Sequence, residues 1–409
     1  MNNSVKNSVK PRALGALLIS LVLFGFATPN YADCKHDEVS VHCGKTPTPT
    51  FDNQGRIWTA FVQKEFVYVS YSNDVGRSYS TPIKVNHLPQ KVYTNGENRP
   101  KIHIMPDGTL LVSWTEKTPG RFTGDIRFSR SIDDGNTYQP VKTINDDGLP
   151  IGHRFDSMTV TPSGHIYIAW LDKRDSATAK KRGEEYDGIS LYYAISSDHG
   201  ATFMANKKVA EHTCECCRIA IANEGDFNTT VMWRHIFSGG IRDHAITTLT
   251  PNGPSSITRA TVDHWKTDAC PHHGPDIDNT PENVTHLTWF SNGTLHKGIY
   301  YGTFLSSSKI SSNIFEVDAS PQASHPQVKQ FNNRVWLIWK TFEDNRSMIK
   351  ARESIDFGAH WSSPKIIAST EGNSDHPLLI RSAEKLILSW QSENEGLRLI
   401  TLSNKGSKQ

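Results

Sequence analysis

Across residues 98–114, NRPKIHIMPDGTLLVSW, polar and apolar positions alternate, a Pro-Asp-Gly turn follows, and an apolar run closes on Trp114. A period of two predicts strands, and the turn joins them as a hairpin. The same shape recurs at 153–170 (HRFDSMTVTPSGHIYIAW), 324–339 (SHPQVKQFNNRVWLIW) and 375–390 (DHPLLIRSAEKLILSW), and more loosely at 45–61, 216–233 and 273–289. The closing aromatics are Phe61, Trp114, Trp170, Trp233, Trp289, Trp339 and Trp390, spaced 50 to 63 residues apart. No amphipathic helical stretch of useful length interrupts them. Units of this spacing, each followed by another strand pair, predict an all-β, seven-bladed β-propeller over residues 33–409. Six blades plus an irregular piece is the alternative. The last unit lacks an outer strand, which Asp37–Val41 would supply.

Four short segments share a second pattern: SNDVGRSY (72–79), SIDDGNTY (131–138), SSDHGATF (196–203) and SIDFGAHW (354–361). Each predicts a tight turn in which the Asp carboxylate accepts backbone N–H bonds, Gly takes positive φ, and the aromatic plugs the turn from below. Four copies in register are structural staples. These Asp-boxes, with the strand RPKIHIMPDGTLLVSW, resemble the sialidase (neuraminidase) superfamily of Asp-box, or BNR, propellers. The resemblance covers nearly the whole chain after residue 32 and implies a sialidase-like fold.

In a propeller the innermost strand of each blade starts near the axis. Aligning the units on their aromatics places Thr46, Arg99, Phe155, Cys217, Gly274, His325 and His376 there, and proline follows in five of them. The segments EHTCECCRIA (211–220) and DACPHHGP (268–275) therefore face one cavity with His325 and His376. Thiol and imidazole donors together suit a soft or borderline ion, copper or zinc, with Cys214, Cys216, Cys217, Cys270, His272 and His273 as candidate ligands. Arg99, Arg154 and Arg218, with His325 and His376, would bind an anionic ligand in the same cavity. The competing expectation is a structural propeller in which these cysteines form disulfides, most simply Cys270 with Cys216 or Cys217.

The sialidase resemblance implies an arginine cluster that clamps a carboxylate. Arg99 resembles the first family arginine and Arg242 the second. The rest departs from the family: Thr115-Glu116 stands where an acid Asp belongs, and 295–304 offers no third arginine. A glycoside hydrolase of exo-α-sialidase type, or an enzyme of another acidic glycan, is thus the alternative function. The pairing of Cys-x-Cys-Cys with Cys-Pro-His-His-Gly-Pro also resembles a group of exported Asp-box proteins, which implies a site distinct from that of sialidases.

Composition changes the picture mainly through compartment. Lys6, Lys10 and Arg12 precede an apolar stretch, Ala13–Phe26, too short to span a bilayer comfortably, and Ala32 is a fitting last residue before cleavage. Residues 1–32 are expected to be an export signal, giving a periplasmic or secreted protein with no membrane partner after cleavage. Removing them leaves 41 basic against 42 acidic residues, a balance that excludes nucleic acid as a partner. Cysteines of an exported chain default to disulfides, and Cys34 and Cys43 are close enough in sequence for a local bridge. The partner is then a small molecule, a metal or a glycan; the oligomeric state is left open.

Overall fold

Each strand–turn–strand unit is one half of an antiparallel meander. In the computed structural model, which describes residues 1, 34, 38–280, 283–305 and 311–406, the chain forms seven sheets whose strands pair in sequence order. The first blade comprises Lys45–Phe51, Ile57–Gln63, Phe66–Ser72 and Ile83–Lys84. The innermost strands of the next six are Lys101–Ile104, His153–Val160, Ala220–Glu224, Asp276–Asn279, Ser324–Phe331 and Leu378–Arg381. Each touches the next, and the seventh touches the first, so the ring is closed with seven blades and the six-bladed alternative falls. The expected export signal lies, save Met1, outside the described residues.

The closing aromatics sit on the second strand of every blade. Trp114, Trp170, Trp233, Trp289, Trp339, Trp390 and Phe61 are all at most 1% exposed. An indole at this depth removes roughly 200 Å² from water, worth at most about 5 kcal/mol of burial. The last blade has only three strands among the described residues, as its short sequence implies. Residues 38–41 do not complete it as a fourth strand. Val39 and Val41 instead pack with Phe61, Tyr68, Leu397 and Leu399, covering the junction of the first and seventh blades. Cys34 is disulfide-bonded to Cys43 beside this junction.

The Ser-x-Asp-x-Gly turns connect the third and fourth strands of four blades. In the second blade Asp133 accepts bonds from Thr137 N and Oγ1 and from Ser131 Oγ, while Ser131 Oγ accepts from Gly135 N. The hydrogen bonds from Thr137, then Ser131, hold the Asp133 carboxyl down to about 2. Two successive residues carry positive φ: Asp134 at 57° and Gly135 at 81°. The glycine has a second task, which sequence did not show. A Cβ on Gly135 would lie 2.7 Å from Trp58 of the first blade, one on Gly200 2.7 Å from Phe128 of the second, and one on Gly76 3.0 Å from Leu399 of the seventh. The turns thus bolt the four blades that carry them to their predecessors.

One helix departs from the all-strand expectation. Arg174–Arg182 lies between the second and third strands of the third blade, with Asp175 in its first turn, basic residues in its last, and Gly183 capping it in the left-handed region. Only Ala179 is buried, so no apolar stripe announced the helix. A meander returns to its starting face after two strands. The helix therefore shares a face with the starts of the innermost strands, and the Ser-x-Asp-x-Gly turns occupy the opposite face.

Gly135 and Gly55 provide a matched test of the bolt, since both have φ of 81° but Gly55 has nothing within 4 Å of its would-be Cβ. Gly55→Ala is expected to cost about 1 kcal/mol through backbone strain alone. Gly135→Ala should cost a further 1–3 kcal/mol or so from overpacking on Trp58. Urea unfolding of the two variants measures the difference, and equal losses would refute the packing role.

Candidate functional site

Seven strand starts converge on the axis, and three of them are bent there. Thr46, Phe155 and His325, equivalent in the repeat, have φ of 48°, 59° and 51°, each beside a register shift in its innermost strand. A bulge of this kind turns the strand's leading residues toward the axis. Around it gather Glu97 and Arg99 from the second blade, Arg218 from the fourth, His273 from the fifth, His325 from the sixth, and Asp375 and His376 from the seventh.

Glu97 is the hub. Its side chain is 2% exposed. Oε2 accepts from the backbone N–H of Arg218 at 2.8 Å, and the Arg218 guanidinium stands 3.5 Å from Oε1. His325 Nε2 lies 3.6 Å and His376 Nδ1 3.8 Å from the same Oε1. The rings of His325 and His376 stack with centroids 3.5 Å apart, and His273 leans on His325 at 5.1 Å. Burial pushes all three imidazoles down, His273 to about 4, and the nearby arginines add to the effect. They are neutral bases at physiological pH. Sequence analysis overlooked Glu97; the signal was a carboxylate two residues ahead of a cavity-facing position.

The cysteines form a different group. Cys214 Sγ lies 3.3 Å from Cys217 Sγ and 4.0 Å from Cys216 Sγ, and all three residues are buried beside Trp233 and Ile219. Hydrogen bonds from the two neighbouring thiols, aided by Arg234, hold Cys214 well below an ordinary thiol, whereas Cys216 and Cys217 are pushed up. Arg242 Nη1 approaches Cys214 Sγ at 3.6 Å. The other expected ligands do not join them. Cys270 and His272 sit on an exposed loop, and no disulfide links Cys270 to Cys216 or Cys217; all four are free thiols. His273 belongs to the imidazole group, packed on Phe290. A one-residue difference between His272, at φ 52°, and His273 sends the two rings apart.

The expected anion-binding residues also separate. Arg99 is saturated by Gly96 O, Pro47 O and the Asp375 carboxylate. Arg218 is held by Glu97 and by three backbone carbonyls, those of Gly274, Pro275 and Pro326. Arg99 and Arg242 share no partner, so the two-arginine clamp implied by the sialidase resemblance is not assembled. Arg154 alone keeps an uncommitted guanidinium. It stands over the rings of Tyr93, Phe122 and Phe155 at 5.8, 5.2 and 5.1 Å and has neither an ion pair nor a hydrogen bond among the described residues. Phe122 also lines a 670 Å³ groove with Arg121, Lys173, Lys180 and Tyr186, against the helix.

A third group, Asp147, His153 and Asp172, resembles a metal site in spacing but not in chemistry. His153 Nδ1 donates to Gly124 O at 2.9 Å and Nε2 to Asp147 at 3.1 Å, which leaves no ring lone pair. Burial opposes its charge, yet Asp125, Asp147 and Asp172 outweigh burial and raise it to about 9. It is a structural imidazolium.

No protein-family model matches the sequence, and a search of curated proteins finds no match. Solved structures share the fold. An ulvan lyase of polysaccharide lyase family PL25, bound to -[GlcA(1-4)Rha3S]-, has a TM-score of 0.55 at 11% identity, covering 87% of this chain and 91% of that one. The polysaccharide lyase Uly1 has a TM-score of 0.51 at 10% identity, covering 87% and 90%. The NanB sialidase of Streptococcus pneumoniae has a TM-score of 0.47 at 10% identity, covering 74% and 65%. At these identities the likeness is one of fold.

His153 makes a pH prediction. Its folded value lies above the unfolded one, so its contribution is full below about pH 6.5 and is lost as pH rises through about 9. The loss should reach up to about 3 kcal/mol. Unfolding free energies of the wild type and His153→Gln across pH 6–10, roughly the span between and beyond those two values, should converge at the alkaline end. A constant gap between them would show that His153 is not held as a cation.

Proposed function

We propose that this propeller is an exported binding protein whose axial face holds a soft metal ion on Cys214, Cys216 and Cys217. The carrying observation is the geometry of the sulfurs. Three thiolates around one ion at the usual metal–sulfur length of about 2.3 Å stand roughly 3.8–4.0 Å apart. The contacts at 3.3 and 4.0 Å bracket that spacing. Thiolate donors select Cu(I) or zinc. Copper is favoured by charge: Cu(I) with three thiolates carries two negative charges, which the guanidiniums of Arg234 and Arg242 offset. Zinc would need a fourth ligand, and neither Cys270 nor His272 is in place to supply it.

A second binding function is supported by Arg154. A desolvated guanidinium without a salt bridge, walled by aromatics and adjoining a groove lined by Arg121, Lys173, Lys180, Glu184 and Glu215, suits a carboxylate or sulfate on a sugar ring. The shared fold of a lyase bound to a glucuronate-containing, sulfated glycan agrees with this class of ligand. Hydrolysis of sialosides has no such support, because Arg99 and Arg242 are committed elsewhere.

Metal analysis of protein prepared anaerobically should find one copper or zinc per chain, lost in Cys217→Ser, with thiol titration showing the bound cysteines protected and one thiol, Cys270, reactive. Absence of metal together with fewer than four titratable thiols would instead establish a disulfide among Cys214, Cys216 and Cys217. For the groove, Arg154→Gln should weaken binding of a glucuronate-containing sulfated oligosaccharide by about tenfold or more; unchanged binding, or none by the wild type, excludes it.

A further inference from the structure

Three imidazoles and a carboxylate meet at the axis with more lone pairs than protons. Glu97 Oε1, His273 Nδ1, His325 Nδ1 and His376 Nδ1 are all buried and make no hydrogen bond. Oε1 has the 3.5 Å ion pair with Arg218 but no hydrogen bond, and leaving the three Nδ1 atoms without one is costly; a native structure accounts for each. One donor atom from each of Glu97, His325 and His376 lies within 4.8 Å of the others, and this group is separate from the three sulfurs. We propose that Glu97, His325 and His376 form a second metal site, for a borderline divalent cation of the zinc class, with His273 at hand as a further ligand.

Several features fit such a cation. In a tetrahedral site with bonds of about 2.0–2.1 Å, neighbouring donor atoms stand about 3.3 Å apart. His376 Nδ1 and Glu97 Oε1 are already at 3.8 Å. The donors are also held from behind, as metal ligands are. Arg218 N–H fixes Oε2 of Glu97, which leaves Oε1 facing the imidazoles. His325 Nε2, the ring nitrogen 3.6 Å from Oε1, also stands 3.2 Å from the carbonyl of His272 and would exchange that contact for the ion. Access is open, because His376 lines a 550 Å³ cavity with Gly96, Thr46, Asp375, His42 and Cys43.

The surrounding charge narrows the choice of ion. Arg99 is matched by Asp375, Arg218 by Glu97, and Lys340 donates to the carbonyls of Ser374 and Asp375. Lys340 is therefore not balanced by a carboxylate of its own, and the field is slightly positive. That disfavours a hard ion such as magnesium or calcium, which depends on charged oxygen ligands. It favours an ion that bonds well to nitrogen and takes an anion from the cavity at its open position.

Cobalt(II) is the probe, since it shows thiolate charge-transfer absorption only when bound to sulfur. Titrated anaerobically into the full chain, Co²⁺ should bind one equivalent without that absorption. His325→Gln combined with His376→Gln should abolish it. Glu97→Gln should weaken it by more than the roughly 10–100-fold that removing an outer-shell partner costs. Should the double variant melt lower than wild type, His376→Gln alone, at the cavity wall, reads the same loss. The proposal is overturned if all bound Co²⁺ carries the thiolate band, or if the sulfur-free equivalent survives in the histidine variants. Because Cys217→Ser removes only the thiolate band, failure of the sulfur site and failure of this one are read separately.

Discussion

Where strand Lys45–Phe51 meets Leu378–Arg381, the seventh sheet stops being an edge and the ring closes. An open seventh blade would expose the apolar faces of both terminal sheets. Closure instead buries Phe61, Tyr68 and Leu397 under Val41, beside a disulfide that ties the preceding chain in place. It also joins residues that are far apart in sequence: the ion pair between Arg99 and Asp375 spans 276 positions. The contacts that tie the second blade to the seventh at the axis are a consequence of that closure.

At the axis the protein has gathered charge and kept it satisfied. A buried carboxylate or guanidinium is destabilising unless paired. Glu97 is paired with Arg218 and Arg99 with Asp375, and the histidines escape the penalty by staying neutral. The thiols follow the same logic: Cys214, the one held low, lies next to Arg234. What remains is a surplus of acceptors at the histidines and of sulfur at the cysteines, two donor sets on either side of the Cys217–Arg218 peptide. That peptide couples them: its N–H is the bond that orients Glu97.

The two faces of the ring divide the work. On one face, the Ser-x-Asp-x-Gly turns bolt blade to blade, beside a 280 Å³ pocket that Asn223, Glu224, Asn279 and Arg381 line at the far ends of the inner strands. On the other, strand starts and the connections between second and third strands carry the helix, the groove, Arg154 and both donor sets. His153 and its three aspartates lie beneath this face and hold the base of the helix-bearing connection, since Arg174 pairs with Asp147 and Asp172 of the same network.

The alternation of apolar and polar positions and the spacing of seven aromatics were sufficient to predict a propeller, its strand order and which segments start at the axis, because these are local properties repeated along the chain; that the ring has seven blades and not six was decided by closure. The same register put His325 and His376 together at the axis and marked sulfur and imidazole as candidate donors, but the structure divides them into two groups. Sequence could not separate His272 from His273 or exclude Cys270, because those outcomes depend on one backbone turn at φ 52°. Nor could it reveal Glu97, whose role exists only when the Arg218 amide from two blades away fixes one oxygen and frees the other. The donor residues are thus set by composition within a repeat, whereas their partners, protonation and grouping arise from contacts across the axis that only the closed ring creates.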